Sequence, residues 1–402
     1  MKLDPVTTYF NSIGIGRPKS EGVFLQKGRK RFGTAFEDMI SVIGARANGI
    51  KLDPYDLKNS SLDLSLYVGE FYSSGMWRAF AEWLTRENFD HPAQVLDLGC
   101  ENGVLTCFIA SIWPDSTVIG VDRSGPAIVA ARALSDKLGL KNVSFKHSHA
   151  IDFMKANPNR FSMVSATLAM HELLHGTESR NPFEWFDPYE RLEDIQLGRP
   201  DEHAIEVLRA VETTLVHNGH FLSLDRSPTP ATTWWYTQCL EQSGLKVSLI
   251  RSYTIECTCA FSDEKFRLTV ARKARKDERK TTLEELLSLV SFREVSAMSL
   301  TLKENIADVF MRSLAQTEIV FEAVAEYIDR SGIRTIRLLK APTMLVLHDF
   351  TNHGFQTAFV APLVGLPNML EHCWKITSEL EENCTVTAAV TDAGRALLAR
   401  LE

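Results

Sequence analysis

The sequence predicts an α/β fold: a doubly wound, mostly parallel sheet with an antiparallel edge hairpin, an N-terminal helical segment and a small C-terminal α+β domain. Three observations carry this. Short apolar runs alternate with helical stretches from Val95 to Arg272. The first run ends in a glycine-bracketed turn, Val95-Leu96-Asp97-Leu98-Gly99-Cys100-Glu101-Asn102-Gly103, which leads straight into helical Val104–Ile112. After Arg272 the chain becomes almost wholly charged, and then a second set of strands begins.

The totals agree. A chain of 402 residues exceeds one ordinary core, so two or three domains are expected. A net charge of −7 argues against the broad basic face of a general nucleic-acid binder. Seven cysteines do not make a disulfide scaffold, and Cys257-Thr258-Cys259 is spaced too tightly for a zinc pair. They read as thiols in a reducing, cytoplasmic compartment. Met1-Lys2-Leu3-Asp4-Pro5 lacks the apolar core of a signal peptide. No window approaches the ~18 apolar residues of a membrane span.

In chain order, residues 1–30 read as loop, because Gly14, Gly16, Pro18, Gly22 and Gly28 interrupt any long element. Lys27-Gly28-Arg29-Lys30-Arg31 is a basic cluster, read as a solvated face. Phe32–Ala47 and Leu62–Leu84 have helical spacing, the second dense in Tyr67, Phe71, Tyr72, Trp77, Phe80 and Trp83. Strands follow at Val95–Leu98, Ser116–Val121, Val143–Lys146, Phe161–Leu168 and His220–Leu224. Between them lie helices at Pro126–Leu138 and His203–Val216, with Pro tolerated in a first turn. Thr232–Ser243 is a further helix, and Lys246–Ser252 with Phe266–Arg272 form the expected edge hairpin. The expected domains are a helical extension or lid at 1–69, the α/β domain at 70–273, a charged linker at 274–280 and an accessory α+β domain at 281–402. In the last, Leu283–Val290, Lys303–Leu314 and Pro367–Leu380 read as helices, and Phe321–Ile328, Ile333–Leu339, Met344–His348 and Phe355–Val360 as strands.

The glycine turn carries the chemistry. A dinucleotide loop needs glycine at its middle position so that backbone can approach a pyrophosphate. Here the positions run Gly99, Glu101, Gly103, and a carboxylate in the middle repels a diphosphate. A cationic, phosphate-free cofactor such as S-adenosylmethionine fits instead. Asp122 closes the second strand, where an acid accepts hydrogen bonds from ribose hydroxyls. Asp97 is placed to hold a methionyl ammonium through water.

These residues, with Val118-Ile119-Gly120-Val121-Asp122-Arg123-Ser124, resemble the first two motifs of class I S-adenosylmethionine-dependent methyltransferases, whose fold is Rossmann-like. Ser148-His149-Ala150-Ile151-Asp152-Phe153 lies in register with the family's next motif, with His149 at the usual adenine-binding Asp. Phe161–Leu168, followed by Ala169-Met170-His171-Glu172-Leu173-Leu174, is similar to the fourth-strand motif. Val216–Asp225 resembles the entry to the fifth strand. The likeness covers about residues 70–273. It implies cofactor contacts from Asp97, Gly99, Cys100, Glu101, Gly103, Asp122, Arg123, His149, Ala150 and Leu168. His171 and Glu172 fall where the acceptor usually sits, and an imidazole there can take a proton as methyl transfers.

His171-Glu172-Leu173-Leu174-His175 also matches the zinc pattern H-E-x-x-H, but its place after a strand of a cofactor fold argues for no metal. Asn181-Pro182-Phe183 lies too late, and lacks the second Pro, for an adenine-N6 DNA methylase motif. The insertion Gly176–Pro200, rich in Phe183, Trp185, Phe186 and Tyr189, reads as a partial lid over the acceptor. Tyr72, Trp185 and Trp235 are the candidate acceptor contacts. Val390–Leu398 resembles the closing segment of some winged-helix domains, without a recognition helix before it.

The leading expectation is methyl transfer to an O or N atom of a small or medium-sized acceptor. A non-catalytic S-adenosylmethionine-binding regulator is one alternative. Another is methylation of protein or RNA recruited through the C-terminal domain. No membrane and no nucleic-acid partner is expected, and the C-terminal domain is a candidate homodimer contact.

Overall fold

A computed structural model of the chain describes residues 4–16, 20–47, 54–87, 89–175, 201–226, 230–260, 262–275, 278–282, 285, 300–314, 316–328 and 331–401. The chain divides into two compact units. One comprises Met1–Phe186, Asp201–Pro228 and Cys239–Glu278; the other comprises Asp187–Pro200, Thr229–Gln238 and Arg279–Glu402.

The first unit opens with helices where a loop was expected. Pro5–Ser12 (α1) starts on Asp4, whose side chain accepts from the amides of Val6 and Thr7, with Pro5 at the first position. Glu21–Phe32 (α2) is capped by Ser20. Of the glycines that suggested a loop, Gly28 serves helix packing. A Cβ on Gly28 would come within 2.3 Å of the Phe36 ring, so glycine lets α2 close on Thr34–Ala47 (α3). Tyr55–Lys58 (α4) is a single turn, followed by Leu62–Tyr72 (α5) and Ser74–Arg86 (α6).

The sheet of this unit begins at Gln94–Leu98 (β1), whose apolar residues are fully buried. Val104–Ile112 (α7), Thr117–Asp122 (β2), Gly125–Leu138 (α8), Val143–His147 (β3), Ala150–Lys155 (α9), Phe161–Thr167 (β4) and Met170–His175 (α10) follow. Glu202–Thr214 (α11) leads into Leu215–Asp225 (β5), and Pro230–Gln242 (α12) comes next. The helix before β5 ends at Thr214, earlier than expected. The strand already pairs at Leu215 and carries a bulge between its Phe161–Leu215 and Met163–His220 pairs, with Asn218 in the left-handed region.

Strand order is β3-β2-β1-β4-β5, all parallel, then Ser262–Lys273 (β8), which runs antiparallel to β5. The outermost strand differs from the expected Lys246–Ser252. Leu245–Val247 (β6) pairs with one end of β8, and Tyr253–Cys259 (β7) pairs with the other. Between them Ser248 N–H and the Ser252 hydroxyl turn back to the Val270 carbonyl, so the edge strand is broken in two. At the expected charged linker, Arg272 of β8 grips Glu278 through both guanidinium arms.

The second unit holds a six-stranded antiparallel sheet in the order β14-β10-β11-β12-β13-β9. Its strands are Leu300–Lys303 (β9), Glu318–Tyr327 (β10), Ile333–Lys340 (β11), Met344–Thr351 (β12), Gln356–Pro362 (β13) and Cys384–Val390 (β14). Leu366–Leu380 (α14, counting Glu304–Ser313 as α13) lays Leu366, Met369 and Cys373 on Phe321, Ile336, Leu338, Leu345 and Leu347. Val390–Leu398 is not the close of a winged helix. It is the end of an edge strand and the start of Asp392–Leu401 (α15), where Gly394 lies so close to the Val320 carbonyl that a Cβ would sit 2.3 Å from it.

Candidate active site

The carboxyl ends of β1, β2, β4 and β5 converge, as strands of a doubly wound sheet do at a ligand crevice. At β1 the backbone enters the left-handed region three times, at Gly99 (φ 65°), Glu101 (φ 44°) and Gly103 (φ 74°). Gly99 is required by a close approach, since a Cβ there would lie 2.7 Å from that of Ala169, just past β4. Glu101 holds a glycine-type conformation with a side chain, at a cost of about 1–2 kcal/mol. Leu168 (φ 54°), at the end of β4, is a second such residue. Strain of this kind persists where surrounding structure enforces it.

Asp122 fixes the turn. Its Oδ2 accepts from the Glu101 amide at 2.9 Å and its Oδ1 from the Ser124 amide at 2.8 Å. Burial pushes its carboxyl above the usual range, and the two backbone bonds oppose that. Asp97 lies deeper, 3% exposed. Its oxygens accept from the Thr106 hydroxyl at 2.5 Å and the Ser165 hydroxyl at 2.6 Å. Burial raises Asp97 to about 6, and the two hydroxyls restrain the rise. Thr106 and Ser165 were not singled out in the sequence; both tie the turn to its flanking helix and to β4.

The other cofactor candidates are spread around the same end of the sheet. Cys100 is buried and its amide donates to the Val121 carbonyl, joining the turn to β2. The Arg123 carbonyl pairs with His147 Nε2 at 2.9 Å, and the Arg123 guanidinium reaches Glu172 at 3.3 Å. His149 precedes the first residue of α9 and is exposed, whereas Ala150 is buried. The Leu168 amide donates to the Leu224 carbonyl across to β5.

Glu101 departs from the reading that left it facing a cationic cofactor alone. The one-turn helix α4 brings Lys58 Nζ to 2.5 Å from its carboxylate, and Asn59 Nδ2 to 3.3 Å. The same short stretch sends the Asp56 carboxylate to the Ser124 hydroxyl at 2.6 Å and the Tyr55 hydroxyl to Glu172 at 2.8 Å. A strap from the N-terminal region therefore touches the ends of three strands.

At the far side His171 and Glu172 open α10. His171 Nδ1 lies 2.8 Å from Asp225 Oδ1, and its amide donates to Asp225 Oδ2 at 3.0 Å. Asp225 ends β5 and is 2% exposed. Burial pushes the His171 imidazole down, but Asp225's charge and hydrogen bond outweigh it and hold the ring above its ordinary value. The Glu172 carboxylate stands 4.0 Å from His171 Nε2. Asp225 is the partner that sequence reasoning missed. Its position as the last residue of a buried strand was the available signal.

Two of the acceptor candidates fall within the described residues. Tyr72 packs edge-on against Phe24 and Phe71, within the helical cluster of Phe36, Leu64 and Val68. Trp235 is buried in α12. Trp185, with the rest of the insertion, lies outside the described residues, as does the side chain of His175. Among the described residues no group of three or more His, Cys, Asp or Glu is placed to hold a metal ion, and no helix is long and apolar enough to cross a membrane.

Residues 90–227 match the family model described as a methyltransferase domain. Over those residues the chain is therefore similar to a methyltransferase domain. Trans-aconitate 2-methyltransferase of Enterobacter sp. (strain 638) is 29% identical over 118 residues, which cover 27% of this chain and 46% of the relative. The enzyme of that name from Methylobacterium radiotolerans is 41% identical over 61 residues, 15% of this chain and 24% of the relative. The chain thus spans about half the length, or less, of these curated relatives. Among solved structures, a SAM-dependent methyltransferase from Methanosarcina mazei is 13% identical with a TM-score of 0.36, over 48% of this chain and 98% of that one. Precorrin-6y C5,15-methyltransferase from Geobacter metallireducens GS-15 is 13% identical with a TM-score of 0.33, over 48% of this chain and 87% of that one.

The methyltransferase domain's cofactor is S-adenosylmethionine, and the residues present fit it. Acids at Asp122 and Glu101 suit a ligand that bears hydroxyls and positive charge and has no phosphate. The strained turn that carries Glu101 is fixed by the bond from its amide to Asp122.

Proposed function

We propose that the protein transfers a methyl group from S-adenosylmethionine to an O or N atom of a small or medium-sized acceptor, with His171 as the base. The observation that supports this best is the His171–Asp225 pair at the acceptor end of β4 and β5.

S-adenosylmethionine supplies an electrophilic methyl group when bound. The remaining work falls to the chain. Asp122, fixed by two amides, keeps lone pairs to accept from ribose hydroxyls. Asp97 stiffens the turn from below through Thr106 and Ser165. Asp225 accepts the Nδ1 proton of His171, which leaves the lone pair on Nε2 for the proton of a hydroxyl or ammonium acceptor. Glu172, beside Nε2 and bound by Tyr55 and Arg123, is the second candidate at this position and stabilises the imidazolium that forms. Alignment and exclusion of water supply the rest of the rate enhancement.

A carboxylate acceptor is the second reading, favoured by the trans-aconitate in the names of the curated relatives. A carboxylate is already anionic and needs no base. Incubating a lysate with methyl-labelled S-adenosylmethionine and the protein tests the proposal. Label in small molecules is the expected result, whereas label in macromolecules, or in nothing, overturns it. The pH profile then separates the two acceptors: turnover climbs with pH through the His171 titration for a hydroxyl or amine, and stays flat for a carboxylate.

A further inference from the structure

The six-stranded sheet of the second unit distributes its charge in an unusual way. Interior strands β10, β11 and β12 carry Glu322, Glu326, Arg334, Arg337 and Asp349. The end strand β14, Cys384-Thr385-Val386-Thr387-Ala388-Ala389-Val390, has no charge, no proline and no glycine. It pairs with β10 along its whole length without a bulge. Charge, proline, bulges and shortness are the devices that keep an edge from pairing with another chain. At the opposite end of the sheet β9 is only four residues long and closes on Lys303. β14 is built to be paired.

Register fixes what this edge offers. The Ile328 amide donates to the Asn383 carbonyl and the Thr391 amide to the Val320 carbonyl. In that ladder the odd-numbered residues of β14 bond β10, and the amides and carbonyls of Val386 and Ala388 point outward. Among the described residues no strand pairs with the outer side. A strand of the same sequence, run antiparallel, matches it. With Thr387 on a two-fold axis, Val386 stands opposite Ala388 of the second copy and the two exchange a pair of hydrogen bonds. The ends of the strand complement each other in charge. The Arg395 guanidinium, held by Asp392, donates to the outward Val390 carbonyl at 2.6 Å, while exposed Glu381 and Glu382 lie just ahead of Cys384. The same pairing sets Val390 opposite Cys384 of the second copy, and so brings Arg395 beside that copy's Glu382. Trp374 of α14, 43% exposed, lies edge-on to Phe321, the cross-strand partner of Val390, and adds an apolar ring at this end. We propose that β14 is a dimer seam, at which two copies of the chain join edge to edge into one continuous sheet.

Analytical ultracentrifugation of the full chain over a concentration series tests this. The unaltered chain should sediment as a dimer that dissociates on dilution. Ala388→Pro removes an outward amide and none that serves β10, so it should keep its circular dichroism spectrum and sediment as a monomer. Glu382→Arg and Arg395→Glu should each weaken association several-fold, and the double variant should recover to within a few-fold. Thr387→Cys should form an intermolecular disulfide on mild oxidation that the unaltered chain does not form, because residues facing across such an axis bring their Cβ atoms to about 4.5–5.5 Å. A chain that stays monomeric at every concentration overturns the proposal. So does a dimer that Thr387→Cys fails to cross-link, or one that persists in folded Ala388→Pro. Should the proline variant not fold, a dimer left unchanged by both charge reversals overturns it equally.

Discussion

Asp122 and Asp225 end two parallel strands of one sheet, yet they organise opposite kinds of chemistry. Asp122 spends both oxygens on backbone amides, of Glu101 and Ser124, and so fixes the shape of a turn. Asp225 accepts from the amides of His171 and Arg226 and, with the second of those oxygens, also meets an imidazole, and so fixes the protonation of a ring. The candidate cofactor corner is thus built on the backbone of the turn that follows Asp97, held by Asp122 at the end of the next strand. The acceptor corner is built from side chains that meet only when β4 and β5 pair. A ligand shared by many proteins can be held by local backbone, whereas an acceptor particular to one protein must be met by side chains.

His171→Ala should cut the comparison most sharply. If the acceptor corner does proton chemistry, turnover falls roughly 100- to 10,000-fold while S-adenosylhomocysteine affinity by calorimetry is nearly unchanged. Unaltered turnover would reduce His171 to a helix-opening residue and favour the carboxylate acceptor.

A smaller effect is expected from Asp122→Ala, which should weaken cofactor binding by about 1–3 kcal/mol. If activity at saturating cofactor fell as well, the two corners would not be separable as described.

Asp97→Asn probes the support beneath the turn. Asp97 is raised to about 6 in the folded chain, above its value of about 3.9 when unfolded. Its ionisation therefore opposes folding: the contribution is complete below pH ~4 and is lost as pH rises through about 6. Urea unfolding should show the variant gaining on the unaltered protein over that window, by the order of 2 kcal/mol at neutral pH. A constant difference across pH would mean that Asp97 is not the group titrating.

Asp225→Asn should shift a pH profile more than it shifts stability. His171 is held above its ordinary value by Asp225's charge, against burial. Its stabilising contribution is present below pH ~6.5 and is lost as pH rises through the higher folded value. Removing the charge should lower the imidazole's titration, read by NMR, and move the rising limb of activity to lower pH. An unmoved titration would assign Asp225 to capping His171 N–H alone.

Much of the cofactor corner was legible in the sequence. Gly99, Gly103 and Asp122 were readable because a tight turn between a buried strand and a helix permits few residue types. That the sheet would be mostly parallel followed from alternation alone. What was hidden came from distance or from double meanings. Lys58 and Asn59 reach the turn from a one-turn helix with no periodicity to mark it, and Ser65 reaches it from α5. Gly28 looked like a helix breaker, and so did its neighbours, but it is a contact surface for Phe36. The outer edge of the sheet was misjudged because Ser248 and Ser252 satisfy the Val270 carbonyl and amide where strand pairing was expected. Tyr72 was noticed for its aromatic ring, which says that it will be packed and not against what.

The buried run from Asn102 through Ser65 to Asn59 also sets what can be moved between proteins. A fragment cut to residues 90–227, the span that matches the family model, would keep the glycine turn but strip Asn102 of its hydroxyl partner and Glu101 of its cation. Grafting that span onto another scaffold would transplant the turn without the strap that holds it. For recombination, whether by nature or by design, the indivisible piece starts at Tyr55, and a crossover placed at the family boundary would separate a lock from half of its pins.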